Sequence, residues 1–175
     1  GAAAAVTYKR PLERVASMDP LRSSAIYDST AISLAYESLL EVDYFARPYK
    51  LRANLCDLPE VSSNRLEYVF TIRPGAAFHP DKCFPGGKGR PVTSADVVYS
   101  LNRLADKKNA SSGMWTMASV KKVEALDDRR VKITLKAPQH VFPWLMSMTY
   151  TGVVPREAVE MYGTHFGGVA VGSGP

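Results

Sequence analysis

The sequence is short of most features that announce a chemistry. Of 175 residues only 2 are cysteine and 3 are histidine, which leaves no disulfide framework and no dense metal cluster. Apolar runs such as Val97-Val98 and Val141-Phe142 are brief, far below the roughly 20 residues that cross a bilayer. The chain does not open on a basic stretch leading into an apolar core, so no signal peptide is legible. A processed secreted chain would look the same, so this absence does not argue for the cytoplasm. Gly1 to Ala5 reads as a remnant of cloning or of a mature end. No internal repeat is visible.

Strong charge of one sign is also missing: 22 basic residues face 17 acidic ones, for a net charge of +5. The basic doublets Lys107-Lys108, Lys121-Lys122 and Arg129-Arg130 each sit beside a turn signal. They read as solvated surface, because nucleic-acid binding asks for a denser stripe interleaved with aromatics. What remains is ordinary for a globular chain, with 46% hydrophobic and 22% charged residues, which excludes disorder and coiled coil.

Periodicity supplies the elements. Val6 to Arg10 reads as a strand. Asp28, Ser29 and Thr30 offer N-caps to a helix carrying Ile32, Ala35, Tyr36, Leu39 and Leu40 on one stripe. From Pro48 to Leu58-Pro59 the pattern is a loop with a short strand. Leu66, Tyr68, Phe70 and Ile72 alternate with Glu67, Thr71 and Arg73, a half-buried strand that Pro74-Gly75 stops. Thr93-Ser94-Ala95-Asp96 is a capping box with Asp in place of Glu, opening a helix whose inner stripe is Val97, Leu101 and Leu104. Val120 to Ala125 and the alternating Val131, Ile133, Leu135 form a hairpin across Asp127-Asp128. Pro155, at a first helical position, and Gly163 bracket a helix over Arg156 to Tyr162. Interleaved elements with hairpins and long loops define an α+β fold with a mixed, largely antiparallel sheet and packed helices.

No catalytic constellation follows. Gly86-Gly87-Lys88-Gly89-Arg90 lacks the spacing of a phosphate loop and reads as a basic surface turn. His79 and Cys83 lie four positions apart, but Pro80 and Pro85 break any helix that would align them on a metal. A hydrolase built on His79 and a cysteine would need both in one cleft. Gly172-Ser173-Gly174 has no helix after it, as a nucleophile elbow requires. Asp127-Asp128 suits a turn. Cys56 and Cys83 could pair in an oxidising compartment or stand as two buried thiols. The expectation is no enzyme, no metal and no cofactor.

The ordered set of segments carries a resemblance. Met18-Asp19-Pro20 comes first, then Tyr36-Glu37-Ser38-Leu39-Leu40-Glu41-Val42-Asp43. The long stretch from Leu66 to His79 leads into Pro91-Val92-Thr93-Ser94-Ala95-Asp96-Val97-Val98-Tyr99-Ser100-Leu101-Asn102-Arg103-Leu104. Val123 to Asp128, Val131 to Leu135, Pro155 to Gly163 and Val171-Gly172-Ser173-Gly174-Pro175 complete the series. In this order they resemble the oligopeptide, dipeptide and nickel-type solute-binding proteins of bacterial ABC importers, with Phe84 to Gly89 as an added surface loop.

The resemblance implies part of a two-lobed periplasmic-binding-protein-like fold. Residues 1–42 would begin the larger lobe, with a first strand, a ligand loop and a helix. Residues 43–159 would form a small subdomain, and 160–175 would return toward the larger lobe, family members continuing well beyond it. The implied function is capture of a peptide or other small solute and its delivery to a membrane permease, without nucleic acid. It would act in the periplasm or outside the cell, lipid-anchored in the full-length protein. Ser23, Ser24, Ala25, Ile26 and Tyr27 are the implied ligand loop. Met114 and Trp115 fall where the family sometimes sets an aromatic over the ligand, although packing onto the small subdomain is the favoured reading, because Met and Trp together usually fill cores. The rival reading is a stand-alone extracytoplasmic interaction or scaffold module.

Overall fold

A computed structural model describes residues 15–174; the strand expected over Val6 to Arg10 lies outside them. Among the described residues two sheets form, and every strand pairing is antiparallel. Helix α1 (Ile26–Ala35) precedes a two-stranded hairpin, β1 (Leu40–Asp43) and β2 (Lys50–Ala53). The larger sheet has the order β3 (Glu60–Val61), β4 (Glu67–Thr71), β6 (Arg130–Leu135) and β5 (Val120–Ala125). Helix α2 (Ser94–Ala105) packs on this sheet, and the short helices α3 (Phe142–Leu145) and α4 (Arg156–Tyr162) follow. No described helix is long and apolar enough to cross a membrane.

The alternation in β4 and β6 does what its period dictates. Tyr68, Phe70 and Ile72 meet Val131, Ile133 and Leu135 on one buried face. Val97, Leu101 and Leu104 of α2 are fully buried, as their helical spacing requires. The capping box is real: the Asp96 carboxylate accepts the Thr93 backbone N–H at 2.9 Å and its hydroxyl at 2.9 Å. The Asp127 carboxylate accepts the N–H groups of Arg129 and Arg130 at 2.9 and 2.8 Å, which closes the β5–β6 turn.

The first helix departs from the expectation at both ends. Asp28 is not its N-cap but its third helical residue, and its carboxylate reaches back to the N–H of Ala25 at 3.3 Å, so helix geometry begins at Ile26. The helix ends at Ala35 because Tyr36 turns extended, with φ −122° and ψ 135°. Leu39 and Leu40 are fully buried but belong to an extended segment, not to the helical stripe. That segment takes its hydrogen bonds from elsewhere: Cys56 N–H donates to Leu39 O at 3.0 Å and Leu40 N–H to Met146 O at 3.1 Å. Apolar spacing alone cannot separate the two conformations when burial is continuous. Likewise Pro155 stands at the N-cap of α4 rather than inside it, with Gly163 at φ +50° just past the end.

Two arginines tie distant segments together. Arg90 holds Asp96 through both terminal nitrogens at 2.8 and 2.7 Å, and Glu157 through Nε and Nη2 at 2.7 Å each. The loop that resembled a phosphate cradle therefore clamps the start of α2 to α4. Arg103, on α2, grips Asp19 at 2.8 and 2.6 Å, joining the Asp-Pro motif to a helix 84 positions away.

These contacts give the fold a defined acid sensitivity. Hydrogen bonds from Arg90 hold Glu157 below the ordinary glutamate range, and the Ala16 N–H leads the groups that hold Asp28 below the aspartate range. A carboxylate depressed on folding stabilises the native state above its unfolded pKa, and that contribution is lost as pH falls through the folded value. Urea midpoints are therefore expected to be level above about pH 5 and to fall steadily below about pH 4, the region of unfolded carboxylates. Glu157→Gln should flatten part of this slope; a wild-type profile unchanged down to about pH 3 would contradict it.

Candidate functional site

The loop leading into α1 is shaped by one buried carboxylate. Asp28 accepts the Ala16 N–H on Oδ1 at 2.8 Å; on Oδ2 it accepts the N–H groups of Ser24 and Ala25 and the Ser24 hydroxyl, at 3.2 to 3.3 Å. Upstream, Asp19 caps the turn Pro20–Arg22 by accepting the Leu21 N–H at 3.1 Å. Ser23 is buried, its hydroxyl 2.7 Å from that of Ser29. Ser24 and Ala25 are exposed. Ile26 and Tyr27 form the first turn of α1 and are 75% and 40% exposed, unusual for large apolar side chains at the foot of a core helix.

A second segment is strapped to this loop. The hydroxyl of Ser111 donates to Leu21 O at 3.0 Å, and that of Ser112 to Ser23 O at 2.7 Å. These bonds set the turn Met114–Met117 beside the loop. Thr116 and Met117 face inward there, whereas Trp115 is 54% exposed. The core-packing reading of Trp115 is thereby corrected, for its neighbours fill that role. Gly113 is obligatory: a Cβ would lie 2.2 Å from Cγ of Tyr150, whose ring packs on the bare backbone. Ser111, Ser112 and Tyr150 were not singled out from the sequence. The partners of Ser111 and Ser112 are 90 and 89 positions away, and no local pattern encodes such a bond.

The strap also narrows what the loop can offer. Main-chain recognition across the whole Ser23 to Tyr27 segment would need its N–H and C=O groups free. The N–H groups of Ser24 and Ala25 are spent on Asp28, and Ser23 O on Ser112. The first-turn amides of Ile26 and Tyr27 have no acceptor among the described residues, since nothing within a helix can accept them.

The other candidate residues lie apart from this surface. The His79 ring nitrogen Nε2 is 2.6 Å from Gly174 O, and its backbone N–H donates to Gly172 O at 2.9 Å. Burial, reinforced by Asp81, pushes the Cys83 thiol up to about 12, so it stays protonated at neutral pH. Cys56 and Cys83 are both free thiols. No group of three or more potential metal ligands gathers among the described residues. A cavity of about 680 Å³ opens at the far end of α1, lined by Ser33, Tyr36, Glu37, Arg52, Asn54 and Arg73 among others. Its charges are paired across it, Arg73 with Glu37 at 2.7 Å and Arg52 with Glu41 at 2.8 Å.

The architecture has close counterparts. The periplasmic binding protein DppA from Helicobacter pylori, solved with the peptide STSA, superposes with a TM-score of 0.79 at 25% identity. The match covers 91% of this chain and 34% of that one. HbpA2 from Haemophilus parasuis gives a TM-score of 0.80 at 25% identity, over 93% of this chain and 35% of the other. Among curated relatives, the glutathione-binding protein GsiB of Pectobacterium atrosepticum is 29% identical over 159 residues, which is 91% of this chain and 29% of GsiB.

The fold is thus that of the two-lobed periplasmic solute-binding proteins, represented by roughly a third of the length of these relatives. The model for bacterial extracellular solute-binding proteins, family 5 (middle region), matches residues 50–175, and the chain belongs to that family. The family is one of binding proteins, not of enzymes, and its compartment is extracytoplasmic.

Proposed function

We propose that this chain forms one wall of the solute site of an ABC-importer binding protein, which captures a peptide or similar small solute and presents it to a membrane permease. The protein acts in the periplasm or at the cell surface, with lipid anchoring as the means of retention. Residues 1–42 and 160–175 belong to the larger lobe and 43–159 to the small subdomain. The observation that carries the reading is the pair of serine straps, which place Ser24 to Tyr27 and Trp115 on neighbouring exposed segments although sequence separates them widely.

The chemistry of that surface suits a short peptide. Tyr27 and Trp115 supply amphipathic rings that cover an apolar ligand side chain at little entropic cost. The free amides of Ile26 and Tyr27 suit a ligand carbonyl or carboxylate. Ser23 acts from within, holding the loop's shape, while Ser24, Ala25, Ile26 and Tyr27 meet the ligand. Closure of a second lobe then buries what this wall has engaged.

One wall alone binds weakly, with Kd expected well above about 1 μM because half the desolvated contact is missing. Two-dimensional ¹H–¹⁵N NMR titration with pooled tri- and tetrapeptides reads such affinities directly. Shifts should concentrate on Ser24 to Tyr27 and Ser112 to Trp115, and Trp115→Ala should weaken them about tenfold or more. Shifts confined to the cavity around Arg73 would overturn the site, and a sub-micromolar complex would overturn the need for a second wall.

A further inference from the structure

The tip of the β1–β2 hairpin points to a function independent of the solute site. Between Asp43 and Lys50 run Tyr44-Phe45-Ala46-Arg47-Pro48-Tyr49. Tyr44 is 74% exposed, Phe45 87% and Tyr49 57%. Small turn residues are the usual occupants of a hairpin tip, and three large rings standing in water there carry a hydration penalty with no folding gain. The ladder beneath is complete, from Leu40 opposite Ala53 to Asp43 opposite Lys50, so the tip is held out on a paired stem.

Part of the polar backbone of the tip is answered within the tip. Asp43 accepts the Phe45 N–H at 3.0 Å, and the Arg47 guanidinium donates to the carbonyls of Tyr44 and Ala46 at 2.8 Å each. Arg47 also lies over the Tyr49 ring, 4.3 Å from its centroid, and Tyr44 and Phe45 meet edge to face at 5.3 Å. Neither Arg47 nor Lys50 forms an ion pair with a carboxylate among the described residues, where Arg52 and Glu41 are already paired to each other. The result is an apolar cap carrying two cations that form no ion pair among the described residues.

We propose that this tip is an interfacial anchor for an anionic phospholipid surface. Two features match that boundary. Tyrosine and phenylalanine settle at headgroup depth, and unpaired cations are drawn to lipid phosphates. The chain's net charge of +5 adds to the attraction. Docking there would hold a periplasmic binding protein near the bilayer that carries its permease.

Cosedimentation of the 175-residue chain with vesicles tests this, using equimolar phosphatidylcholine and phosphatidylglycerol against phosphatidylcholine alone. The anionic vesicles should carry down the wild type, less so as salt is raised. Tyr44→Ser/Phe45→Ser/Tyr49→Ser should reduce the bound fraction tenfold or more, and Arg47→Gln or Lys50→Gln about fivefold each. Far-UV circular dichroism confirms that the variants remain folded. Equal pelleting of the wild type and the triple variant, or no binding to anionic vesicles, overturns the proposal. So does protection of the tip by self-association or by a protein surface alone.

Discussion

Arg103→Ala is expected to destabilise the fold by about 3–5 kcal/mol, the range for removing one partner of a buried ion pair. The side chains of Asp19 and Arg103 are only 7% and 15% exposed, and their contact is bidentate, at 2.6 and 2.8 Å. Truncation leaves a nearly buried carboxylate without its cation, its remaining hydrogen bond among the described residues being the Leu21 N–H on its Oδ1. The guanidinium also lies over Phe166, 5.5 Å from the ring centroid, and that packing is lost as well. Urea unfolding measures the loss. The double replacement Asp19→Leu/Arg103→Met should recover most of it, since an apolar pair of similar volume needs no desolvation. A single-variant cost below about 1 kcal/mol, the level of an exposed pair, would show that the site is wet.

Gly172→Ala is the second large effect, at about 3 kcal/mol, the upper end of ordinary overpacking. A Cβ there would lie 1.8 Å from Ala35 O and 2.7 Å from Ala35 C, so backbone would have to move, not a side chain. Neighbouring bonds prevent that movement. Gly174 N–H donates to Ala35 O at 3.0 Å, His79 N–H to Gly172 O at 2.9 Å and Val171 N–H to the Tyr36 hydroxyl at 3.1 Å. The segment from Val171 to Gly174 should therefore detach from the C-terminal end of α1. Hydrogen exchange should report it as lost protection at the amides of His79, Val171 and Gly174, while those of β4 and β6 fall only with global stability. Unchanged protection at all three would refute the close approach. Gly168→Ala, where a Cβ meets nothing within 4 Å, is the matched control.

Both substitutions fall in motifs whose order carried the family resemblance, and the structure gives each a physical task. The Asp-Pro turn exists to face Arg103, and the terminal Gly-Ser-Gly to slide against the end of α1. The glycine-rich loop at 86–90, which invited a phosphate reading, serves the clamp through Arg90. The candidate site was half legible. Ser23 to Tyr27 were candidates by matching from the Asp-Pro motif, and Trp115 by its position in the resembled family. The bonds from Ser111 and Ser112 that bring the two together could not be placed, because a hydroxyl reports nothing about a partner 90 positions away.

By itself the sequence determined the β4 and β6 faces, the α2 stripe with its capping box, the β5–β6 turn and the family. The structural features rest on interactions spanning a few residues, where period and cap chemistry leave one solution, and the family rests on the order of the segments. Only the tertiary structure decided where α1 starts and stops, that Leu39 and Leu40 are extended rather than helical, that β1 and β2 pair, and which loop amides are free. Those outcomes turn on hydrogen bonds to Met146, Cys56, Asp28 and Ser112. An apolar or small polar residue satisfies its local pattern equally well in either conformation, and the competition is settled by partners that only the folded chain brings within reach.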